Sequence, residues 1–311
     1  MELGLITFAD MQSQSVPGQG VNAQQRVKNL MEEIQLADQL GLDVFGVGEH
    51  HRPDYAVSSP AVILGAAAAV TKNIKLTSAV TVLSSDDPVR VFQNFATVDL
   101  LSGGRSEIMA GRGSFIESFP LFGYDLEDYD ELFTEKLDLL LKLNKSEKLS
   151  WKGKHRASFD DLGIYPRPYQ PSLPIWLAAG GTPASAVRAA TLGLPLMLAI
   201  IGGRPEQFVP FVNLYRETAK KAGRDLSQLQ LGVNNHLYVG EDSQRAANEF
   251  YPYYAVMMNR IGRERGWSPL SREQYEYLRS AKGALMVGSV QEIIDKILYE
   301  HELFGNTRFL A

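Results

Sequence analysis

PIWLAAGGTPASAVRAATLGLPLMLAI, residues 174–200, spells one complete strand–helix–strand unit. Pro174–Ala178 is a short apolar run of the length of a buried strand. Gly180 and Gly181 end it, and Thr182 and Pro183 suit a helix cap and first turn. Ala184–Leu192 follows with helical periodicity, Gly193 stops it, and Leu196–Ile200 is a second apolar strand. Two strands joined by a helix run parallel, with the helix laid over one face of their sheet.

The same punctuation recurs outward in both directions. Leu3–Phe8, Asp43–Gly48, Ile74–Leu83, Arg105–Ala110, Leu229–Val239 and Thr307–Leu310 read as further strands. Helices fall between them. One starts at Asn22 with Gln25 three residues on, as in a capping box, and stops at Gly41. Others cover Pro60–Val70, Pro88–Leu101, Tyr129–Leu143, Gln207–Ala222 and Val290–Leu303. Repeated strand–helix units of this number predict an α/β fold, a (β/α)8 TIM barrel. An open dinucleotide-binding sheet would carry G-x-G-x-x-G after its first strand. The loop there, ADMQSQSVPGQG, has no such spacing.

Two stretches exceed ordinary connections: about 144–173, with a short hairpin, and about 240–289, helical and rich in Tyr and Phe. They read as insertions in a single domain spanning 1–311. No helix pattern follows Thr307–Leu310, so the expected barrel is short of its final helix.

Composition narrows the function. Lys and Arg number 31 against 36 Asp and Glu, a formal charge of −5, which disfavours nucleic acid and anionic membrane surfaces as partners. The chain has no cysteine, which removes disulfides, thiolate metal sites and a Cys nucleophile. No signal peptide and no apolar run of about 18–20 residues is present, so a cytoplasmic protein is expected.

Barrel sites lie at the C-terminal ends of the strands. His50 follows the second strand and suits proton handling or substrate orientation; a loop imidazole satisfied by one hydrogen bond is the plainer alternative. His51, its neighbour, points the other way, so a metal pair is not expected. Gly111-Arg112-Gly113-Ser114 follows the fourth strand: small residues for close approach, and a guanidinium fork for phosphate. A plain turn accounts for it equally well. The strongest signal is Gly180-Gly181-Thr182-Pro183-Ala184-Ser185 at a helix N-terminus, which is an anion-site pattern; Thr182 as a simple cap is the alternative. Gly202-Gly203-Arg204 adds a candidate polar wall, and Asp86-Asp87 reads as a cap with a solvated neighbour. A phosphate-handling barrel lyase would need a buried Lys base or metal-binding carboxylates at strand ends; the sequence shows neither.

In order, GVGEHH (46–51), TSAVTVLSSDDPVRVFQNFATVDLLSGGRSEIMAGRG (77–113), PIWLAAGGTPASAVRAATLGLP (174–195) and GSVQEIIDKI (288–297) resemble the bacterial luciferase-like flavin monooxygenases. The resemblance implies a barrel that binds reduced FMN, or in some branches a deazaflavin, and inserts one oxygen atom from O2 into a small organic substrate. Carried onto this chain, it implies that Gly180, Gly181, Thr182 and Ser185 hold the phosphate, with Arg112 adding a cation. Gly111 lies near the flavin ring, Ala79-Val80 backs it across a non-prolyl cis peptide, and His50 serves the oxygen chemistry. It also implies a homodimer, formed through helices beside strands two to four. A separate flavin reductase, or NAD(P)H directly or indirectly, would supply electrons. Gly111 stands where the luciferase proper has a Cys, and Ser84-Ser85 replaces a Leu-Pro run. The readings carried forward are an FMN-dependent monooxygenase, a deazaflavin-dependent hydride-transfer enzyme, and a flavin-binding protein without turnover.

Overall fold

A computed structural model describes residues 1–11, 21–113 and 115–311. Ser114 and most of the loop after the first strand lie outside the described residues. The chain divides into two compact units, Glu2–Ala178 and Ala179–Ala311 with Met1.

In the first unit, β1 (Glu2–Thr7), α1 (Ala23–Gln39), β2 (Val44–Val47), α2 (Pro60–Val70), β3 (Lys75–Ser78), β4 (Thr81–Val82) and α3 (Pro88–Ser102) come first. β5 (Ser106–Gly111), α4 (Ser118–Leu121), α5 (Tyr129–Lys145), β6 (Lys148–Trp151), β7 (Phe159–Gly163) and β8 (Ile175–Ala179) complete it. β1, β2, β3, β5 and β8 pair in that order, all parallel. β4 adds to the end of β5, and β6–β7 is an antiparallel hairpin in the 144–173 segment. The second unit holds α6 (Pro183–Leu192), β9 (Leu196–Ala199), α7 (Val209–Lys221), β10 (Leu231–Asn234) and β11 (Leu237–Gly240). It continues with α8 (Ser243–Arg265), α9 (Arg272–Arg279), β12 (Met286–Ser289), α10 (Val290–Phe304) and β13 (Arg308–Leu310). β9, β10 and β13 again pair parallel and in sequence order. Each strand sits beside its predecessor, whereas a doubly wound sheet reverses order part-way. Eight parallel strands in order, with helices between, make this a (β/α)8 barrel fold.

The strands read as continuous apolar runs because both faces are covered. Val44, Phe45 and Val47 of β2, Ile108–Ala110 of β5 and Leu196–Leu198 of β9 are all buried. α1 shows the helix logic. Leu30, Ile34 and Ala37 fall on one face and are buried, while Leu40 beyond the helix is exposed. Asn22 caps it by accepting the Gln25 N–H, but the expected reciprocal half does not form. The Gln25 amide donates to Asn29 instead.

Three boundaries differ from the sequence reading. Ile74–Leu83 is two strands, divided at Ala79-Val80, whose peptide bond is cis. Leu229–Val239 is also two, divided at Asn235-His236. The 240–289 segment contains an unforeseen strand, β12, parallel to β11. Around it Tyr254, Tyr275, Leu285 and Val287 form their own buried cluster.

Near the N-terminal ends of the first unit's strands, two side chains staple the turns. Asp99, fully buried, accepts from the Ser106 and Gln170 N–H groups and the Gln170 amide. The Arg105 guanidinium donates to the carbonyls of Ala68, Thr71, Ile74 and Ser102. That end is built for stability, which leaves the C-terminal ends for chemistry.

Candidate functional site

The first unit brings its candidates to the ends of β2, β4 and β5. His50 follows β2 and packs among aromatic rings, with centroid distances of 4.6 Å to Phe8, 4.2 Å to Tyr55 and 5.3 Å to Phe115. Its Nε2 is buried and has no hydrogen-bond partner among the described residues. Burial pushes the imidazole down to about 4, helped by the charges of His51 and Arg52. His50 is therefore neutral at pH 7, able to give or take one hydrogen bond but not poised as an imidazolium acid.

Ala79 and Val80 lie between β3 and β4. Gly111 ends β5 under Val80, and a Cβ on Gly111 would meet a Val80 methyl at 2.7 Å. Gly113 has φ +78°, and a Cβ there would meet the Val82 methyls at 3.1–3.2 Å. Packing against valines thus requires both glycines of the Gly-Arg-Gly turn, before any ligand is considered. Arg112 is engaged within its own unit: its Nη1 donates to Asp130 at 2.6 Å, and its guanidinium lies 5.1 Å from the Tyr129 ring centroid. Asp130 is largely exposed, so the pair is weak and exchangeable.

In the second unit, the Gly180–Ser185 turn opens α6. Thr182 occupies the cap position, but its hydroxyl makes no capping bond, so the simple cap explanation lacks its hydrogen bond. Gly181 has φ +101°, a conformation that favours glycine, and a Cβ there would meet Phe208 at 3.1 Å. Gly180 and Thr182 are exposed, and nothing lies within 4 Å of a Cβ built on Gly180. Ser185 is buried, and its N–H is already taken by the Thr182 carbonyl. The Arg204 guanidinium of the Gly202-Gly203-Arg204 turn pairs with Glu206 at 3.0 Å.

Several residues were not foreseen. Glu49 is buried; its Oε1 lies 2.9 Å from His51 Nε2, and its Oε2 accepts the Val82 N–H at 2.9 Å. The spelling Glu-His-His contained this pair, since residues two apart near a strand end share a side. Asp87 caps α3 as expected, but Asp86 is half-buried rather than solvated, and burial raises its carboxyl. Lys136 and Lys296 are both buried, and burial pushes each down to about 8. Neither offers a free base at a strand end. Lys136 Nζ donates to the Ser84 carbonyl and faces the Tyr124 ring; Lys296 Nζ donates to three backbone carbonyls. One grouping of metal-ligand type exists among the described residues, Asp128, Glu131 and His155, but the Lys154 ammonium sits 2.5 Å from Glu131 and 3.8 Å from Asp128. A resident cation would have to displace it.

The family model for luciferase-like monooxygenases matches residues 1–307. This chain belongs to that family. The monooxygenase RslO1 from Streptomyces bottropensis, a solved structure, superposes with a TM-score of 0.85 at 25% identity, covering 100% of this chain and 92% of that one. Among curated relatives, the oxygenase component of a flavin-dependent trigonelline monooxygenase from Acinetobacter baylyi is 26% identical over 303 residues, 89% of this chain and 82% of its own length. An F420-dependent glucose-6-phosphate dehydrogenase from Amycolatopsis mediterranei is 28% identical over 273 residues, covering 82% and 74%. The family thus joins flavin-dependent monooxygenases and F420-dependent oxidoreductases, and this luciferase-like chain is an oxidoreductase of that breadth. Among the described residues, no helix is long and apolar enough to cross a membrane.

Proposed function

We propose that this luciferase-like protein is an FMN-dependent monooxygenase acting with O2 on a small organic substrate. The observation that carries the reading is His50: a neutral imidazole in an aromatic box, at a strand end, with a buried Nε2 lacking a partner among the described residues. A buried polar atom of that kind calls for a ligand or an ordered water. The residues fit a flavin. Val80, half-buried between β3 and β4, offers an apolar wall for a ring, with Ala79 buried next to it. The open turn Gly180-Gly181-Thr182 before α6 suits the phosphate, with Ser185 behind it. The family resemblance, not a contact, is what adds Arg112 as a cation for that phosphate; its Asp130 partner is exposed, so their pair can exchange.

Reduced FMN, when bound, supplies the activation of O2. The protein's own work is to hold the ring, keep water from His50 with Phe8, Tyr55 and Phe115, and move one proton at His50 Nε2. The trigonelline enzyme is described as an oxygenase component, and we carry over from it a separate flavin reductase as electron source. Segments 144–173 and 240–289 are taken as insertions in one catalytic domain that works as a dimer.

A second reading keeps the fold and replaces FMN by F420 and oxygenation by hydride transfer, because a relative of equal similarity uses F420. A parallel fluorescence titration with FMN, riboflavin and F420 separates them. FMN tighter than riboflavin supports the phosphate turn and the monooxygenase reading. F420 preference installs the second. FMN binding without O2 consumption by reduced flavin and substrates would leave a carrier without turnover.

A further inference from the structure

We infer that Glu49 is a positioning residue: one buried carboxylate that fixes both stretches of the first unit against which the flavin ring is proposed to lie. The inference rests on the flavin reading above. Glu49 is 7% exposed, and acidic residues are rarely that buried unless paired. Its two oxygens serve different strands. Oε1 pairs with His51 Nε2 at 2.9 Å, next to His50 at the end of β2. Oε2 accepts the backbone N–H of Val82 at 2.9 Å, at the end of β4.

Val82 stands two residues beyond Val80, which lies just before β4. Val80 methyls pack on Gly111 and Val82 methyls on Gly113, so the two valines set the spacing between this segment and the end of β5. Moving Val82 moves Val80 with it. The Glu49 carboxylate therefore governs the wall built by Val80 and, through His51, the backbone that carries His50. Both oxygens are committed to protein donors, so Glu49 acts through these neighbours rather than on the substrate.

Lys136 holds the next stretch of the same segment by donating to the Ser84 carbonyl, and Asp86 accepts the Asp87 N–H. Those contacts fix the loop that follows. Glu49 instead joins the β2 end to β4 itself.

The test compares the full-length parent with E49A, E49D and E49Q. FMN and riboflavin affinities are measured by titration, stability by thermal melting, and the Val82 amide by hydrogen exchange. Asp keeps the charge but is one methylene too short to span both partners. Gln keeps an oxygen for Val82, and its N–H can bond His51 Nε2 once the imidazole shifts its proton to Nδ1. E49A and E49D should weaken FMN and riboflavin by the same factor, about tenfold, the scale of one charge-assisted hydrogen bond. E49Q should bind both flavins as the parent does, and Val82 exchange should accelerate in E49A and E49D alone. A merely structural role would lower the melting temperature without ordering the affinities this way. Parent-like affinities in E49D, loss of FMN alone, or E49Q as poor as E49D would each overturn the inference. If E49A fails to fold, the E49D and E49Q pair still decides. If the parent binds neither flavin, the flavin reading fails by itself. Val82 exchange then judges the contact: unchanged exchange in E49D overturns it, and faster exchange supports it.

Discussion

Replacing His50 by Gln should make the protein lose less stability in acid. The folded imidazole sits at about 4 because burial disfavours its charged form, while the ordinary value is 6.5. Above the ordinary value both states are neutral and the residue costs nothing. As pH falls below it, the unfolded chain takes up a proton that the folded chain refuses, so stability drops until the folded imidazole also titrates. At pH 5 the unfolded imidazole is nearly all protonated and the folded one only about one-tenth, a difference of ~2 kcal/mol. Below about pH 4 the loss levels off near ~3 kcal/mol. Urea unfolding of parent and H50Q at pH 7 and pH 5 reads this directly. On going to pH 5, H50Q should lose ~2 kcal/mol less than the parent. His236, which burial also pushes down to about 4, titrates in the same window and is present in both proteins, so it cancels in the difference. Equal acid losses in parent and variant would mean that His50 is solvated and that its aromatic box does not exclude water.

Three further outcomes are expected. R112A should weaken FMN more than riboflavin in the titration, because only FMN carries the phosphate; equal losses remove Arg112 from that role. G111A should cost about 1–3 kcal/mol in thermal or urea unfolding by overpacking Val80, and V80A should recover most of that in the double variant. D99A should cost about 3–5 kcal/mol by orphaning the Ser106 and Gln170 donors. Where D99A still folds, it should leave flavin affinity near that of the parent.

The order of strands and helices was legible because glycine and proline punctuate it. Gly41, Gly103, Gly193, Gly223 and Gly305 all close helices in the left-handed conformation, and Pro60, Pro88 and Pro183 open them. The break at Ala79-Val80 left no mark in an apolar run, since periodicity cannot see a change of direction, and the polar Asn234-Asn235-His236 was read through as part of one strand. β12 was hidden because Met286–Ser289 is four residues long and follows a helical stretch. The glycine turn that opens α6 at Gly180–Ser185 was readable from residue types alone. Glu49 was not singled out, because a carboxylate beside two histidines reads as one polar loop residue among others until its partner Val82, 33 positions away, is known. Lys136 was missed for a similar reason. On a helix its charge reads as a solvent position, and only the fold shows that its ammonium reaches Ser84.

The stapled turns around Asp99 and Arg105 have a practical bearing on engineering. Arg105 gathers carbonyls from the end of α2, the start of β3 and the end of α3, so this end of the first unit is held by directional bonds that tolerate few substitutions. A mutant library aimed at new substrate scope would gain most by leaving those positions untouched. Its diversity belongs at the opposite, C-terminal ends of the strands, where barrel folds carry their chemistry, with Glu49, Gly111 and Gly113 kept as they are.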